Sequence, residues 1–401
     1  MGFFLLSACA TYQDKVQESR QQITNGQLEL AADQLEKLAT EPGNDQLVYL
    51  MDYGSVLQMK GSFSESNRIF LAADKLSEEL DYHSVTKITG SVLLNEEMKQ
   101  YKGDTFEKVF INAYLAMNYL QLGKLDDALV EARRINEKFL KFKSDEKKEF
   151  ELNAFGKYLS AVIWEANHDY DDAFLAYKEA YSIDQRISNI DKDLIRLAKL
   201  SKRFDELRRL KLEFPEVQED PRDYDKKSGE IIIVVLQGWG PRKAMSFADK
   251  TFPELRRVYS STQSADVELN GKSEGMTSLI YDVQEASIKA LQDDYAALVA
   301  RRVGSAIVKD ITAEEIRKRN GELAGFIAWV VMHAADRADL RQWSLLPQTV
   351  QMKRLRVSPG KYHLKLYGLD SSYQRSGEFA EFSDIQVPTG KTKFIFWRTV
   401  K

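Results

Sequence analysis

The feature that most constrains this fold is a turn that recurs through the first half of the chain. From Tyr12 to about Pro215 the apolar residues keep helical period, and prolines are few. Within that stretch a turn residue, an aromatic or Leu two positions on, and a small residue three beyond that recur together. They appear as Gly26-Gln27-Leu28 with Ala31, Gly61-Ser62-Phe63 with Ser66, Gly123-Lys124-Leu125 with Ala128, and His168-Asp169-Tyr170 with Ala173. Lys202-Arg203-Phe204 with Leu207 is a weaker copy. Successive turns lie 35, 62, 45 and 34 residues apart. Helical hairpins repeated in this way stack into a solenoid with a concave face.

The residues around the turns carry the pattern further. Tyr53-Gly54 precede the second turn, and Phe70 and Ala73 follow it. Ala116 and Tyr119 precede the third, with Ala132 and Ile135 after it. Ala161 and Trp164 precede the fourth, with Tyr177 and Ala180 after it. Two of the steps match a period of about 34 residues, and the other two require insertions. The pattern resembles the tetratricopeptide (TPR) repeat, in which small residues let two helices approach and a large one fills the gap to the next pair. Generic antiparallel helical hairpins are the competing reading. The resemblance implies no catalysis and a concave surface that binds a peptide or protein. Tyr53, Tyr101, Tyr119 and Trp164 are the aromatic candidates for that contact. In this register Ala173 sits at a tight helix contact and Glu179 on the exposed side.

The long second step hides Asp81 to Asp104. His83-Ser84-Val85-Thr86-Lys87-Ile88-Thr89-Gly90 breaks helical period and predicts a loop or short hairpin, with Asp104 capping the next helix. Such an interruption is either functional or a clamp on one end of the stack. The halves divide in the polar stretch from Pro215 to Gly229.

Beyond it, Glu230 to Leu236 is a β-branched run and predicts a buried strand. It ends in Gln237-Gly238-Trp239-Gly240-Pro241-Arg242-Lys243. Walker spacing is missing there and Pro241 removes an amide donor, so a tight turn displaying Trp239 and Lys243 is expected. Helical period returns between Met276 and Ala335. Thr312 to Glu315 forms a capping-box pattern, and Ala324 to Met332 is apolar all round. Alternating strands follow at Thr349 to Val357, Tyr362 to Tyr367, Phe379 to Val387 and Thr392 to Trp397. The Pro-Gly turn followed by Tyr-x-Leu-x-Leu resembles transthyretin-like modules. The expected fold is α+β. It comprises a TPR-like solenoid over 12–217 and an α+β domain over 229–401, built as a small antiparallel β-sandwich with a helical insertion at 276–337.

Composition narrows the function. A net charge of −4 lacks the basic footprint of a nucleic-acid binder. A single cysteine excludes disulfides within the chain and Cys-based zinc sites, and no cofactor is implied. The four histidines, His83, His168, His333 and His363, show no metal-ligand spacing. The longest apolar run, Ala324 to Ala335, is about half of the ~20 residues needed to span a membrane. The densest polar cluster is Asp336, Arg337, Asp339 and Arg341 with Trp343. It is read as an ion-pair network that closes a helix at a domain junction, with acid/base chemistry as the alternative.

The first residues, Met1 to Thr11, contain Leu6-Ser7-Ala8-Cys9, which resembles a bacterial lipobox. Lipidation of Cys9 is implied, and Ala10 instead of Asp implies sorting to the outer membrane. The apolar run before Cys9 is short and carries no Lys or Arg, so a start further upstream is expected, with 1–11 as truncated signal and tether. Three further patterns accompany the lipobox and the hairpins. These are Tyr101-x-Gly103-x-x-Phe106-Glu107, Gly238-x-x-Pro241-x-Lys243, and Ala335-Asp336-x-x-x-x-Arg341-x-Trp343-x-x-Leu346-Pro347. Together they resemble an uncharacterised family of proteobacterial lipoproteins, which brings no catalytic residues with it. The expected function is a lipid-anchored periplasmic scaffold that binds an envelope protein through its TPR-like groove. A cell-wall enzyme using the Asp336–Arg341 cluster is the alternative.

Overall fold

A computed structural model describes residues 12–86, 100–144, 153–246, 253–291 and 338–401. Cys9, the Thr312–Glu315 box, the apolar stretch at 324–332, His333, Asp336 and Arg337 lie outside the described residues.

The first half is five antiparallel helical hairpins. They are α1 (Tyr12–Thr24) with α2 (Leu28–Thr40), α3 (Gln46–Met59) with α4 (Phe63–Thr86), and α5 (Thr105–Gln121) with α6 (Leu125–Ser144). α7 (Ala154–Ala166) with α8 (Tyr170–Ile183) and α9 (Ile190–Leu200) with α10 (Phe204–Glu213) complete the set. All five turn residues, Gly26, Gly61, Gly123, His168 and Lys202, adopt positive φ, from 58° to 79°. Each turn closes in the same way. The amide after the turn residue bonds five positions back, as in Gln27 to Gln22, Ser62 to Leu57 and Arg203 to Ala198 at 2.8–2.9 Å. That is the Schellman pattern, which satisfies the last carbonyls of a helix when one residue turns left-handed. Ala31, Ser66, Ala128 and Ala173 are fully buried where the helices of each pair touch. A Cβ at Gly54 would stand 2.9 Å from the Phe70 ring, so α3 and α4 meet at a distance only glycine allows. One expectation is corrected at its start: α4 continues through Thr86, past the break expected at His83, and the loop or hairpin expected from 87 onward lies outside the described residues.

After a short 3-10 turn at Pro221–Tyr224 the strands begin. They are β1 (Gly229–Gln237), β2 (Arg242–Met245), β3 (Pro253–Arg256), β4 (Ser264–Leu269), β5 (Lys272–Met276) and β6 (Ser278–Asp282). β7 (Thr349–Val357), β8 (Gly360–Leu369), β9 (Arg375–Val387) and β10 (Thr392–Arg398) close the chain. Two four-stranded sheets, ordered β10-β1-β7-β6 and β5-β4-β8-β9, pack face to face, with β2 and β3 as a separate hairpin. The expected all-antiparallel sandwich is corrected at one pair. β10 crosses from the second sheet and lies parallel to β1, Glu230 opposite Thr392 and Leu236 opposite Arg398. The expected insertion also starts later than 276. Ser278–Asp282 pairs with β7 as an edge strand, and helix begins at 283.

β1 shows why its sequence is apolar at every position. Ile231, Ile233 and Val235 pack on the second sheet with Val267, Leu364 and Leu366. Ile232, Val234 and Leu236 join the core of the helical array. The molecule is therefore three layers, with the β10-β1-β7-β6 sheet buried on both faces between helices and the outer sheet. The inner helices confirm the same arrangement: α3 buries 11 of 14 residues and α7 buries 12 of 13. The outer helices bury one stripe only, 4 of 13 in α2 and 5 of 14 in α8.

Candidate functional site at the junction of the halves

A short segment, Arg341 to Leu346, runs into the inner face of the helical array. Two buried carboxylates take hold of its backbone. Glu107, on the first turn of α5, accepts the Trp343 amide at 2.7 Å, the Tyr101 hydroxyl at 2.6 Å and the Asp104 amide at 2.9 Å. The last of these, with the Asp104 side chain, completes a capping box. Asp52, on α3, accepts the Leu345 amide at 3.0 Å and the Ser344 hydroxyl at 3.2 Å. The Tyr12 hydroxyl lies 2.6 Å from Asp52 and equally close to the Gln342 carbonyl. Burial pushes the Asp52 carboxyl up to about 7, against the pull of these donors. Burial, reinforced by the Asp104 charge, raises Glu107 in the same sense. The side chain between them, Trp343, is 1% exposed, packs on Tyr114 and Phe70, and donates its indole N–H to Ser55 at 2.9 Å.

Arg341 locks the start of the segment. It grips Asp339 with Nε at 2.9 Å and Nη2 at 2.7 Å, and reaches Asp45 and the Asn44 carbonyl across the junction.

A second ionic cluster ties the far hairpins to the sheet. Glu165 of α7 accepts Arg196 in bidentate fashion at 3.0 Å, Arg354 of β7 at 2.9 Å and the Tyr177 hydroxyl at 3.0 Å. Arg354 also reaches Glu230 of β1 and Asp193 of α9. Burial acts to raise the Glu165 carboxyl, but Arg196 and Arg354 outweigh it and hold the group well below the carboxylate range.

Beside the docked segment lies a cleft of about 1070 Å³ between the halves. Among the described residues Phe106, Lys108 and Phe142 line one wall, and Lys243, Leu255 and Leu291 the other. Four of its cations are paired with acids: Lys108 to Asp81 at 2.7 Å, Lys243 to Asp104 at 3.3 Å, and Arg134 and Lys138 both to Asp74. Among the described residues no group of three or more His, Cys, Asp or Glu side chains is placed to hold a metal ion.

The structure separates the residues singled out from sequence. Asp339, Arg341 and Trp343 come together at the junction. Tyr53 and Tyr101 are buried core residues, not contact residues on an open face. Tyr119 and Trp164 are partly buried, Trp164 with Arg133 stacked at 5.1 Å. Trp239 is not displayed by its turn: it is 7% exposed, lies between Arg20 and Arg398, and donates to the Val400 carbonyl. Asp52 and Tyr12 went unnoticed because nothing local marks a helical Asp as the anchor of a segment 293 residues away. The β4–β5 hairpin did carry a signal. Asn270-Gly271, with φ of 50° and 80°, is a two-residue turn of the type Asn-Gly favours.

No family model matches the chain, and no curated protein matches it. Solved structures align with about half of the chain. A tetratricopeptide repeat protein from Parabacteroides merdae is 16% identical, with a TM-score of 0.33, over 51% of this chain and 67% of its own. MamA from Desulfovibrio magneticus RS-1 is 14% identical, with a TM-score of 0.32, over 50% and 89%. BtubC from P. vanneervenii is 16% identical, with a TM-score of 0.32, over 52% and 79%. The TPR-like reading rests on the five equivalent turns rather than on these scores.

Proposed function

We propose that the protein is a non-enzymatic scaffold of the cell envelope, tethered to the periplasmic face of the outer membrane through lipidated Cys9. The observation that supports a scaffold is how its charged groups are used. Asp52, Glu107, Glu165 and Arg341, the groups buried at the junction, spend their hydrogen bonds on fixing one half to the other. The inner face of the array, where a TPR-like protein would take a partner, is filled by the chain's own sheet and by Arg341 to Leu346. A protein partner is therefore assigned to the junction cleft, where Phe106 and Leu255 offer apolar contact between paired charges.

The test is recovery of partners from detergent-solubilised envelopes with wild-type protein and with Leu255→Asp, each checked for an unchanged Tm. A partner held by wild type and lost with Leu255→Asp supports the cleft. A partner retained by Leu255→Asp moves the site elsewhere. Turnover of cell-wall material by the purified protein overturns the scaffold reading. In the exported protein, Cys9→Ser should either leave the membrane fraction as a folded protein or remain unprocessed; a processed, unlipidated form that still fractionates with membranes refutes the tether.

A further inference from the structure

The start of α1 is pinned to the wall of the junction cleft. Tyr12 is 5% exposed, and its hydroxyl lies 2.6 Å from both Asp52 and the Gln342 carbonyl. Its ring packs on Tyr49 at 5.4 Å, and Gln13 donates its side-chain amide to the Leu340 carbonyl at 2.6 Å. The residues these groups hold belong to the cleft. Gln342 and Trp343 line it, and the Gln342 amide is fastened to the carbonyl of Pro241, another lining residue, at 2.5 Å. Lys102, also in the lining, is brought to the same corner by Tyr101. The Tyr101 amide bonds the Asn44 carbonyl, and its ring lies 5.4 Å from the Arg341 guanidinium.

Covalent geometry limits how far this corner can stand from Cys9. Three peptide units separate Cys9 from Tyr12, and a fully extended chain gains at most about 3.6 Å per residue. Cys9 therefore lies within about 11 Å of Tyr12, whatever path the chain takes. Tyr12 then reaches the cleft wall with one side chain. Fraying α1 to lengthen the tether would give up the contacts of Tyr12 and Gln13. Two molecules held on one surface meet at an effective concentration set by their tethers, and it is greatest when tether length matches the span between the sites. A lipid on Cys9 thus fixes the cleft close to the bilayer and favours ligands that emerge at that height.

We propose that the cleft takes an amphipathic juxtamembrane segment of an integral membrane protein, at the lipid surface to which Cys9 is tied. This rests on the lipidated Cys9 and the cleft partner of the proposed function. Phe106, Phe142 and Leu255 give such a segment an apolar seat, and the paired charges around them suit its polar face. A segment that leaves a bilayer directly emerges where the short tether holds the cleft. A soluble protein gains nothing from the shared surface.

The test places the lipidated full chain on vesicles of phosphatidylethanolamine and phosphatidylglycerol that carry a nitroxide headgroup. With Cys9 lipidated, Lys102→Cys or Leu212→Cys supplies the sole free thiol for a fluorophore. Lys102 is exposed at the cleft, and Leu212 is 84% exposed on α10, the last helix of the array. The nitroxide should quench the Lys102 label strongly and the Leu212 label little. Twenty Gly/Ser residues inserted between Ala10 and Thr11, with a reach of about 25 Å, should keep the protein on the vesicles and abolish the difference. Equal quenching at the two sites in the original chain, or a difference that survives the insertion, overturns the orientation. A chain that does not partition onto vesicles at all refutes the tether, and the orientation with it. The occupant is tested in cells with a photoreactive residue in place of Lys102. An adduct to residues adjoining a membrane-spanning segment is expected. It should be lost with Leu255→Asp and fall about tenfold or more with the lengthened tether, as effective concentration drops. An adduct to a soluble protein or to lipid alone, or no adduct, overturns the occupant.

Discussion

At the scale of single residues, the five turns make a controlled comparison. Three place glycine in the left-handed conformation, with no atom within 4 Å of a built Cβ, and two place His168 and Lys202 there. A non-glycine residue in that conformation costs roughly 1–2 kcal/mol. Lys202→Gly should therefore stabilise the protein by about 1 kcal/mol, and Gly123→Ala should destabilise it by a similar amount, both read from urea midpoints. Ala173→Leu at the fully buried helix contact should cost ~1–3 kcal/mol. Glu179, expected to be a neutral control for that substitution, is not one. It accepts the buried Lys157 ammonium at 2.5 Å, and Lys157 is 1% exposed. Glu179→Ala should lose about 1–2 kcal/mol for weakening the support of that charge, measured against Glu179→Gln.

At the scale of elements, the segment from Arg341 to Leu346 behaves as a peptide bound by its own chain. Trp343 fills a pocket of Phe70 and Tyr114 with its amide on Glu107 and its indole on Ser55. Trp343→Ala should cost about 3–5 kcal/mol and lower the melting of both halves together. Separate transitions for the helices and the sheets in the wild type would contradict a shared core. Arg341→Ala should cost about 2–3 kcal/mol, less than the ~3–5 of a fully buried pair, because Asp45 and Asp339 stay partly exposed.

For the whole molecule, the buried carboxylates fix a pH profile with two limbs. Asp52 and Glu107 have raised folded values, so the folded state binds more protons than the unfolded one from about pH 4 to 7. Their contribution is complete below the unfolded value and is lost as pH rises across that window. Glu165, Glu230 and Glu219 are held low, Glu219 at about 2. Their contribution is present above the unfolded value, near ~4.3, and is lost as pH falls below it. Stability should therefore peak near pH ~5 and decline on either side. Urea midpoints at acid, mildly acid and alkaline pH check this, and Asp52→Asn should make the alkaline limb shallower, leaving the Glu107 share, without changing the acid limb. A midpoint that does not change between mildly acid and alkaline pH would show that Asp52 ionises normally.

What the sequence determined by itself is what short-range chemistry dictates. A left-handed residue must end each inner helix, a small one must follow where two helices touch, and β-branched runs must be strands. The five turns, the capping Asp104 and the strands at 230–236, 349–357, 379–387 and 392–397 were legible for that reason. Only the tertiary structure decided how the parts share their surfaces. Periodicity cannot say what covers an apolar face, so an inner face filled by the chain's own sheet reads like one left open for a partner. Trp343 meets Glu107 across 236 residues, and β10 returns parallel to β1 from the far end of the chain. Contacts at such separations depend on the packing of whole layers, and a sequence carries no local mark of them.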